Sequence, residues 1–278
     1  MSLIDRIFPY LFRVGLILLL CGIFSCATVP VTERRGLRLI PEGQLLSMSF
    51  QQYGEILKKS KLSEDPEKVE LVKKVGEKIA RAAEEFMRES GMESAIKNYK
   101  WEFNLIDDDK VINAWCMPGG KVAIYTGILP ITQDENGLAV VIGHEVAHAI
   151  AQHGNERMSQ SLLAQLGGVG LSITLSREPA ITQQIFMTVY GVGAQVGVLL
   201  PYSRLHEREA DQIGLLLMAK AGYDPRQAIP FWQRMNEAGK GKRPPEFLST
   251  HPAPETRIRE IQSFIPKAMK HYKAEGDS

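Results

Sequence analysis

The sequence predicts an α+β fold that is mostly α-helical. Its 278 residues, 44% of them hydrophobic, are enough to bury a sizeable core in one domain. Apolar side chains recur at helical spacing over most of the chain, whereas residues 100–127 alternate with a period of two, which is typical of short strands. We therefore expect one helical domain that contains a small β-sheet.

The first 26 residues are typical of a signal peptide. Arg6 and Arg13 form a short charged region, an apolar run covers residues 14–24, and Ser25 and Cys26 follow. An uncleaved membrane anchor is the alternative, but the apolar run has only about half of the ~20 residues that a spanning helix needs. Without residues 1–25 the chain carries equal numbers of basic and acidic side chains, so its charge does not indicate a nucleic-acid partner.

Residues 27–43 are rich in Pro, Thr and charged residues and are expected to form a linker. It would lead to a single domain at 44–270, followed by a polar tail at 271–278. Two scaffold helices are predicted first, at about 44–59 and 66–89. In the second, Pro66 lies at the first turn after Asp65, and Gly91 lies just beyond the end.

The small sheet is predicted within residues 100–127. Trp101, Phe103 and Leu105 alternate with polar residues, three aspartates at 107–109 form a turn, and residues 111–112 and 121–126 supply further short strands. Only one of the three cysteines, Cys116, lies in the body of the chain, so no intrachain disulfide framework is possible. We interpret Cys116 as a small core residue.

The helix predicted after the sheet contains His144, Glu145 and His148, and Asp134 and Glu135 lie at its start. Two histidines four positions apart are separated by about 40° around a helix axis, so both imidazoles can reach one metal ion. The glutamate between them can contact a metal-bound water. This is the H-E-x-x-H motif of zinc hydrolases. A surface helix with incidental histidines is the alternative, but the flanking residues are apolar, and burying uncompensated charge there would be costly.

A third protein ligand is expected downstream, because a catalytic zinc site has three protein ligands and an open position for water. Glu207 and Asp211 lie four positions apart in a helical segment that begins near residue 203. The carboxylate of Glu207 can complete a His₂Glu set, and Asp211 can accept the other ring N–H of a ligating histidine. Alone, this charged run would be interpreted as a solvated helix face. His153 and His206 lie nearby, but their directions on the helices do not favour coordination.

These motifs resemble those of the zinc peptidase family that includes HtpX and the CAAX prenyl proteases. They are most similar to its periplasmic BepA- and LoiP-like branch, to which the mitochondrial Oma proteins are related. Besides the two motifs, residues 113–120, 122–127 and 249–252 fit this branch, so the resemblance covers about residues 27–270. It implies a gluzincin-type metallopeptidase domain with the small sheet beside the H-E-x-x-H helix.

The expected activity is zinc-dependent hydrolysis of peptide bonds, with one zinc ion per chain. Its ligands would be His144, His148 and Glu207, and Glu145 would transfer a proton from water to the leaving amine. An extended substrate would pair with an exposed edge strand through backbone hydrogen bonds. As the resemblance implies, we assign this substrate-binding edge to the strand that contains Val122, Ala123 and Ile124, with Asn113 and Ala114 near the cleft. An ordinary hairpin with a covered edge is the alternative.

His251 lies late in the chain, in a Ser-Thr-His-Pro stretch. An isolated histidine in a loop is usually a satisfied surface or core group. In the family branch, however, the equivalent histidine lies on a loop over the metal. By resemblance, His251 either blocks the open coordination position as a reversible ligand or steadies the transition state.

The signal region also predicts where the protein works. Residues 23–26 resemble a bacterial lipobox, although Phe24 departs from the small residue usual there, and Cys26 would become the lipidated N-terminus. Ala27 after this cysteine implies anchoring at the outer membrane. The expected location is the periplasm, and the expected substrates are unfolded or misassembled envelope proteins.

Two other functional classes remain open. One is a zinc-containing, chaperone-like peptide-binding lipoprotein whose proteolysis is latent. The other is an integral membrane peptidase, for which the glycine-interrupted apolar stretch 161–200 would supply two membrane segments. Each apolar run there is shorter than the ~20 residues of a spanning helix and contains glutamines, so soluble packing near the active site is favoured.

Overall fold

The structure is a computed structural model that describes residues 26–166, 203–241, 244–252 and 256–272. The predicted signal peptide up to residue 25, most of the apolar stretch 161–200 and most of the polar tail lie outside the described residues. The described part is mostly helical and contains a small three-stranded sheet, so the predicted fold class is confirmed. Within it, none of the helices combines the length and apolar composition needed to cross a bilayer.

The chain begins with an antiparallel hairpin of β1 (Cys26–Thr28) and β2 (Arg35–Leu37). This hairpin corrects the expectation of a linker at 27–43. Between its strands, Val29 is fully buried, and Arg34 forms ion pairs with two carboxylates of the domain, Glu156 and Glu209. Burial of an apolar side chain and paired charge hold this stretch against the domain, which a count of polar residues does not reveal.

Two long helices follow, α1 (Glu42–Lys59) and α2 (Pro66–Glu89), and then a single turn, α3 (Glu93–Ile96). The prediction for α2 is confirmed: the Asp65 side chain caps its first turn by accepting hydrogen bonds from the backbone N–H groups of Glu67 and Lys68. Its apolar face is buried in the core, where it packs beneath the helix that carries the H-E-x-x-H motif.

The sheet contains β3 (Glu102–Ile106), β4 (Ala114–Met117) and β5 (Lys121–Tyr125) in the order β3-β5-β4. Strand β5 pairs parallel with β3 and antiparallel with β4. The expectation that β5 is the exposed edge is therefore wrong, and β4 is an outer strand instead. The tight turn at Gly119 and Gly120, both at φ 80°, makes β5 the antiparallel neighbour of β4, and β3 pairs with the other side of β5.

Next come a short turn, α4 (Leu129–Thr132), and two helices, α5 (Glu135–Ile150) and α6 (His153–Leu166). The Asp134 side chain caps α5 by accepting from the N–H of Gly137. Every residue of α5 from 137 to 150 is buried, so the H-E-x-x-H motif lies in the centre of the core and not on a surface helix.

Helix α7 (Arg204–Lys220) packs against α5 more extensively than any other described pair of elements. The two backbones approach closely at Gly143 and Gly214: a Cβ atom on Gly143 would lie 3.1 Å from the carbonyl oxygen of Gly214. Helices α8 (Ala228–Gly239), α9 (Glu246–Thr250) and α10 (Thr256–Ala268) complete this side of the core.

Candidate metal centre

Four buried side chains converge at the crossing of α5 and α7: His144, His148, Glu207 and His251. One ligand atom from each lies within 4.8 Å of all the others. The Nε2 atoms of His144 and His148 are 3.1 Å apart, and each lies 3.4 Å from a carboxylate oxygen of Glu207. Three imidazole nitrogens and one carboxylate form a donor set that suits tetrahedral zinc.

Local sequence explains why these groups meet. His144 and His148 are one turn apart on α5, so both face the same neighbour. Gly214 lies two turns after Glu207 on the same face of α7, and it contacts Gly143, the residue before His144. The glycine contact therefore brings the first turn of α7 beside the two histidines.

The charges of the cluster also fit a cation. Burial lowers the pKa of His144, but Asp211 and Glu207 outweigh burial and raise this pKa to about 9. Burial raises the pKa of Glu207, but nearby His251 and Arg257 outweigh it and hold this pKa well below its usual range. The carboxylates around His144 therefore favour positive charge at this point of the core.

His251 is positioned between the cluster and Glu145. Its Nδ1 atom lies 3.2 Å from His144 Nε2 and 3.1 Å from Glu207 Oε1, while its Nε2 atom lies 3.3 Å from Glu145 Oε1. The ring stacks on Phe247, whose backbone N–H donates to the carbonyl of Ile112 just before β4. His251 therefore fills the space that a water molecule would need in order to contact both the metal and Glu145.

Glu145 has the environment of a general base. Its side chain is buried, and Oε1 accepts no hydrogen bond from the described residues despite its proximity to His251. Burial raises the pKa of Glu145 above its ordinary value. A buried carboxylate oxygen without a hydrogen-bond donor is costly unless it serves a ligand or a reaction.

Asp211 lies behind His144, as expected: Asp211 Oδ1 is 3.0 Å from His144 Nδ1. Arg257, which the sequence analysis missed, holds this carboxylate with two donors at 2.8 Å and donates to Glu207 Oε2 at 2.7 Å. Its guanidinium also stacks 3.5 Å above the centre of the Trp232 ring. A signal was present in the sequence, because position 257 aligns with Ile261 and other apolar residues on the buried face of α10.

Comparison with known proteins decides the family. The sequence model of peptidase family M48 matches residues 73–265. The chain belongs to peptidase family M48. The predicted family is thus confirmed, and the donor set described above suits zinc, the cofactor that the sequence predicted.

The relatives of this M48 peptidase fall into two groups. It is 36% identical over 196 residues to "Mitochondrial metalloendopeptidase OMA1" of Schizosaccharomyces pombe, covering 69% of this chain and 53% of that protein. It is 32% identical over 277 residues to the OMA1 of Bos taurus, covering 95% and 51%. It is 31% identical over 175 residues to "Beta-barrel assembly-enhancing protease" of Yersinia pestis, covering 62% and 36%. The chain spans about half, or less, of the length of these curated relatives.

The residues predicted to bind substrate are divided between two strands of the M48 domain. Val122, Ala123 and Ile124 are fully buried on the central strand β5, away from any free edge. Asn113 and Ala114 lie at the start of β4, where the Asn113 side chain accepts from the N–H of Ala114. The carbonyl of Ile112, next to Asn113, accepts from the N–H of Phe247 in the segment that carries His251.

His153 and His206 are buried, but neither contributes an atom to the ligand cluster of the M48 peptidase, in agreement with the sequence analysis. His153 nevertheless touches the ring of His148, with 2.9 Å between their Nδ1 atoms. This contact was not predicted, because its geometry depends on how α6 turns back after α5.

Proposed function

We propose that this M48 peptidase hydrolyses unfolded or misassembled proteins of the bacterial cell envelope. The observation that carries the proposal is the convergence of His144, His148 and Glu207 beside the buried carboxylate of Glu145. These groups are the ligands and the proton carrier that metal-assisted peptide hydrolysis requires.

Each residue has a distinct task in this reaction. His144, His148 and Glu207 would hold zinc, which when bound supplies a Lewis acid that polarises the scissile carbonyl and activates water. Glu145 removes a proton from the attacking water and later delivers it to the leaving amine. Asp211 keeps the ring of His144 oriented through its Nδ1 atom.

The outer edge of β4 supports backbone recognition of an extended substrate. Tyr125 N–H donates to the carbonyl of Asn113, so Asn113 faces β5 and, by the alternation of an antiparallel pair, Ala114 and Cys116 face away from it. Among the described residues, no strand pairs with this side of β4, where the N–H of Ala114 donates to the side chain of Asn113. Recognition through main-chain groups suits substrates that share no sequence.

His251 supports a latent resting state. Its ring lies between the cluster and Glu145, and only 3% of its surface is exposed. Water and substrate would therefore enter only after the segment carrying His251 has moved. The same observation favours a second candidate function, a chaperone-like peptide-binding lipoprotein whose proteolysis stays latent.

The location in the cell is part of the proposal. Its support is the lipobox-like sequence ending at Cys26 and the similarity to a bacterial relative named for enhancing β-barrel assembly. We propose a signal peptide at 1–26, a lipid anchor on Cys26, an outer-membrane position in the periplasm and a single peptidase domain at 44–270. Comparing the mass of the N-terminal peptide between wild type and Cys26→Ser tests the anchor, and an unmodified wild-type peptide contradicts it.

Degradation of an unfolded protein tests the activity. Residues 27–278, wild type and with Glu145→Gln, His251→Ala or the control His271→Ala, are compared at one buffered free zinc concentration. His271 is an exposed histidine outside the site, so its loss should leave the rate unchanged.

Cleavage by wild type or by His251→Ala, but not by Glu145→Gln, is the expected result. A faster His251→Ala variant identifies His251 as a restraint, and a slower one identifies it as a group that assists the reaction. If all the variants bind one zinc ion and none cleaves, the peptidase proposal is abandoned for the peptide-binding alternative.

A further inference from the structure

A chain of buried side chains extends from the far side of His148 to the N-terminal hairpin. We propose that His153 and Glu209 are positioning residues that fix the ring and the tautomer of His148, and that Arg34 of the hairpin holds this array in place. The inference rests on the proposed function only in taking His148 as a zinc ligand.

The hydrogen-bond pattern determines which nitrogen of each ring carries a proton. His153 Nε2 lies 2.9 Å from Glu209 Oε2, and a carboxylate only accepts, so Nε2 of His153 is the donor. A neutral His153 then has its lone pair on Nδ1, which lies 2.9 Å from Nδ1 of His148. His148 must donate from Nδ1, which leaves the lone pair of its Nε2 directed at the ligand cluster.

Other donors keep Glu209 in its role as an acceptor. Thr32 Oγ1 and Arg34 Nε donate to Oε1 at 2.6 and 2.9 Å, and Arg34 Nη2 donates to Oε2 at 2.9 Å. The side chains of Glu209 and His153 are fully buried, so no solvent can replace these contacts. An ionised carboxylate with this many donors keeps its orientation and defines the donor atom of His153.

Arg34 also bridges two carboxylates, Glu156 and Glu209, that would otherwise repel each other. Its two Nη atoms donate to Glu156 at 2.9 Å each, while Nε and Nη2 reach Glu209. Glu156 and Glu209 share Arg34 as a partner, but they contact different histidines. Glu156 Oε2 lies 3.3 Å from His206 Nε2, whereas Glu209 contacts His153. Glu156 thus reaches His153 indirectly, through Arg34 and through His206, whose ring stacks on that of His153 with 4.5 Å between the centroids.

The two histidine ligands are therefore supported in different ways. His144 has a carboxylate, Asp211, directly behind its Nδ1 atom. His148 has its carboxylate one residue further away, with His153 between them. Groups that orient metal-binding histidines affect metal affinity almost as strongly as the ligands themselves.

The test is the zinc affinity of the full chain, measured by competition with a chromophoric chelator. Glu209→Gln should weaken zinc binding about 10- to 100-fold, because a glutamine amide cannot accept from Arg34 and His153 at both of its terminal atoms. Glu156→Gln is the matched control, because it loses the same charge beside the same arginine without removing a direct partner of His153, and its zinc affinity should fall less than that of Glu209→Gln.

The visible absorption spectrum of the cobalt(II) form gives a second readout that does not depend on activity. Glu209→Gln should shift the cobalt bands, because the ligand field changes when the ring of His148 rotates, whereas Glu156→Gln should not. If Glu209→Gln folds poorly, Arg34→Lys is used instead: one amine cannot bind both carboxylates in the forked geometry, and weaker zinc binding is again expected.

Equal zinc affinities of the Glu209→Gln and Glu156→Gln variants, or a wild-type cobalt spectrum in Glu209→Gln and Arg34→Lys, overturn the inference. A wild-type chain that binds no zinc refutes the proposed function. If instead the wild-type chain binds zinc and cleaves while Glu209→Gln matches it in zinc affinity and cobalt spectrum, the result refutes only the role of His153 and Glu209.

Discussion

Arg257 is a buried cation between two carboxylates, and replacing it by methionine should strongly destabilise the metal-free protein. Its guanidinium makes three contacts of 2.7–2.8 Å with Asp211 and Glu207, and its side chain is 3% exposed. Removing one member of a buried ion pair typically costs about 3–5 kcal/mol, because the remaining charge stays buried without a partner. Loss of the stacking over Trp232 adds to this cost, while methionine keeps part of the apolar contact.

Urea unfolding of the full chain, with a chelator and with buffered zinc, measures the effect. In the chelated protein we expect a loss of about 3–5 kcal/mol, which corresponds to a fall of about 10 °C in melting temperature for a domain of this size. With zinc bound, the loss should be smaller, because the metal neutralises Glu207, and Asp211 loses the guanidinium but keeps its contact with His144.

Arg226→Met is the matched control, because the ion pair of Arg226 with Asp224 is exposed and should contribute little. Adding Asp211→Asn to the Arg257→Met variant should restore part of the lost stability, since the unpaired charge is then gone. Equal losses for Arg257→Met and Arg226→Met would refute the reasoning, and so would a double variant less stable than Arg257→Met alone.

Three further predictions concern zinc, pH and the sheet. Raising free zinc should raise the melting temperature, and the free energy of unfolding should increase by about 4 kcal/mol at 1,000 times the Kd. A melting temperature independent of zinc would contradict binding to the folded state. Burial raises the pKa of Glu156, but His206 and Arg34 outweigh burial and lower this pKa from 4.5 to about 2. The ionised Glu156 side chain therefore contributes its full stabilisation above about pH 4.5, and this stabilisation is lost as the pH falls towards 2. Urea midpoints at pH 7 and pH 3 should therefore differ less in Glu156→Gln than in wild type, and an equal difference counts against this ion pair. Tyr53 donates to the carbonyl of Val122 at 2.8 Å, so Tyr53→Phe should cost about 1 kcal/mol in urea unfolding without changing peptide cleavage, and a changed rate would give β5 a direct role in catalysis.

The sequence predicted the parts of the site that local geometry determines. His144, Glu145 and His148 follow from the spacing of one helix, and Glu207 and Asp211 follow from that of another. Each pair is four positions apart, so its relative direction is fixed wherever the helix packs. In the structure, His144, His148 and Glu207 converge, and Asp211 Oδ1 lies 3.0 Å from His144 Nδ1.

The parts that were missed depend on tertiary packing. Arg257 looks like an ordinary charge at the start of a late helix until α10 packs against α7. Arg34 lies in a stretch whose polar composition predicts a linker, because no local pattern reveals a partner 175 residues away. In the sheet, alternation predicted the strands but not their order, since period two is the same for a central strand and an edge strand.

The contact between Gly143 and Gly214 also limits how this sequence can evolve. Both glycines lie within helices, so neither is required for an unusual backbone angle. A methyl group on Gly214 would lie 3.0 Å from the backbone nitrogen of His144, and the helices would have to move apart to accept it. A saturation mutagenesis scan should therefore find large side chains excluded at these two chemically inert positions, because the close approach of the two helices depends on the absence of side chains there.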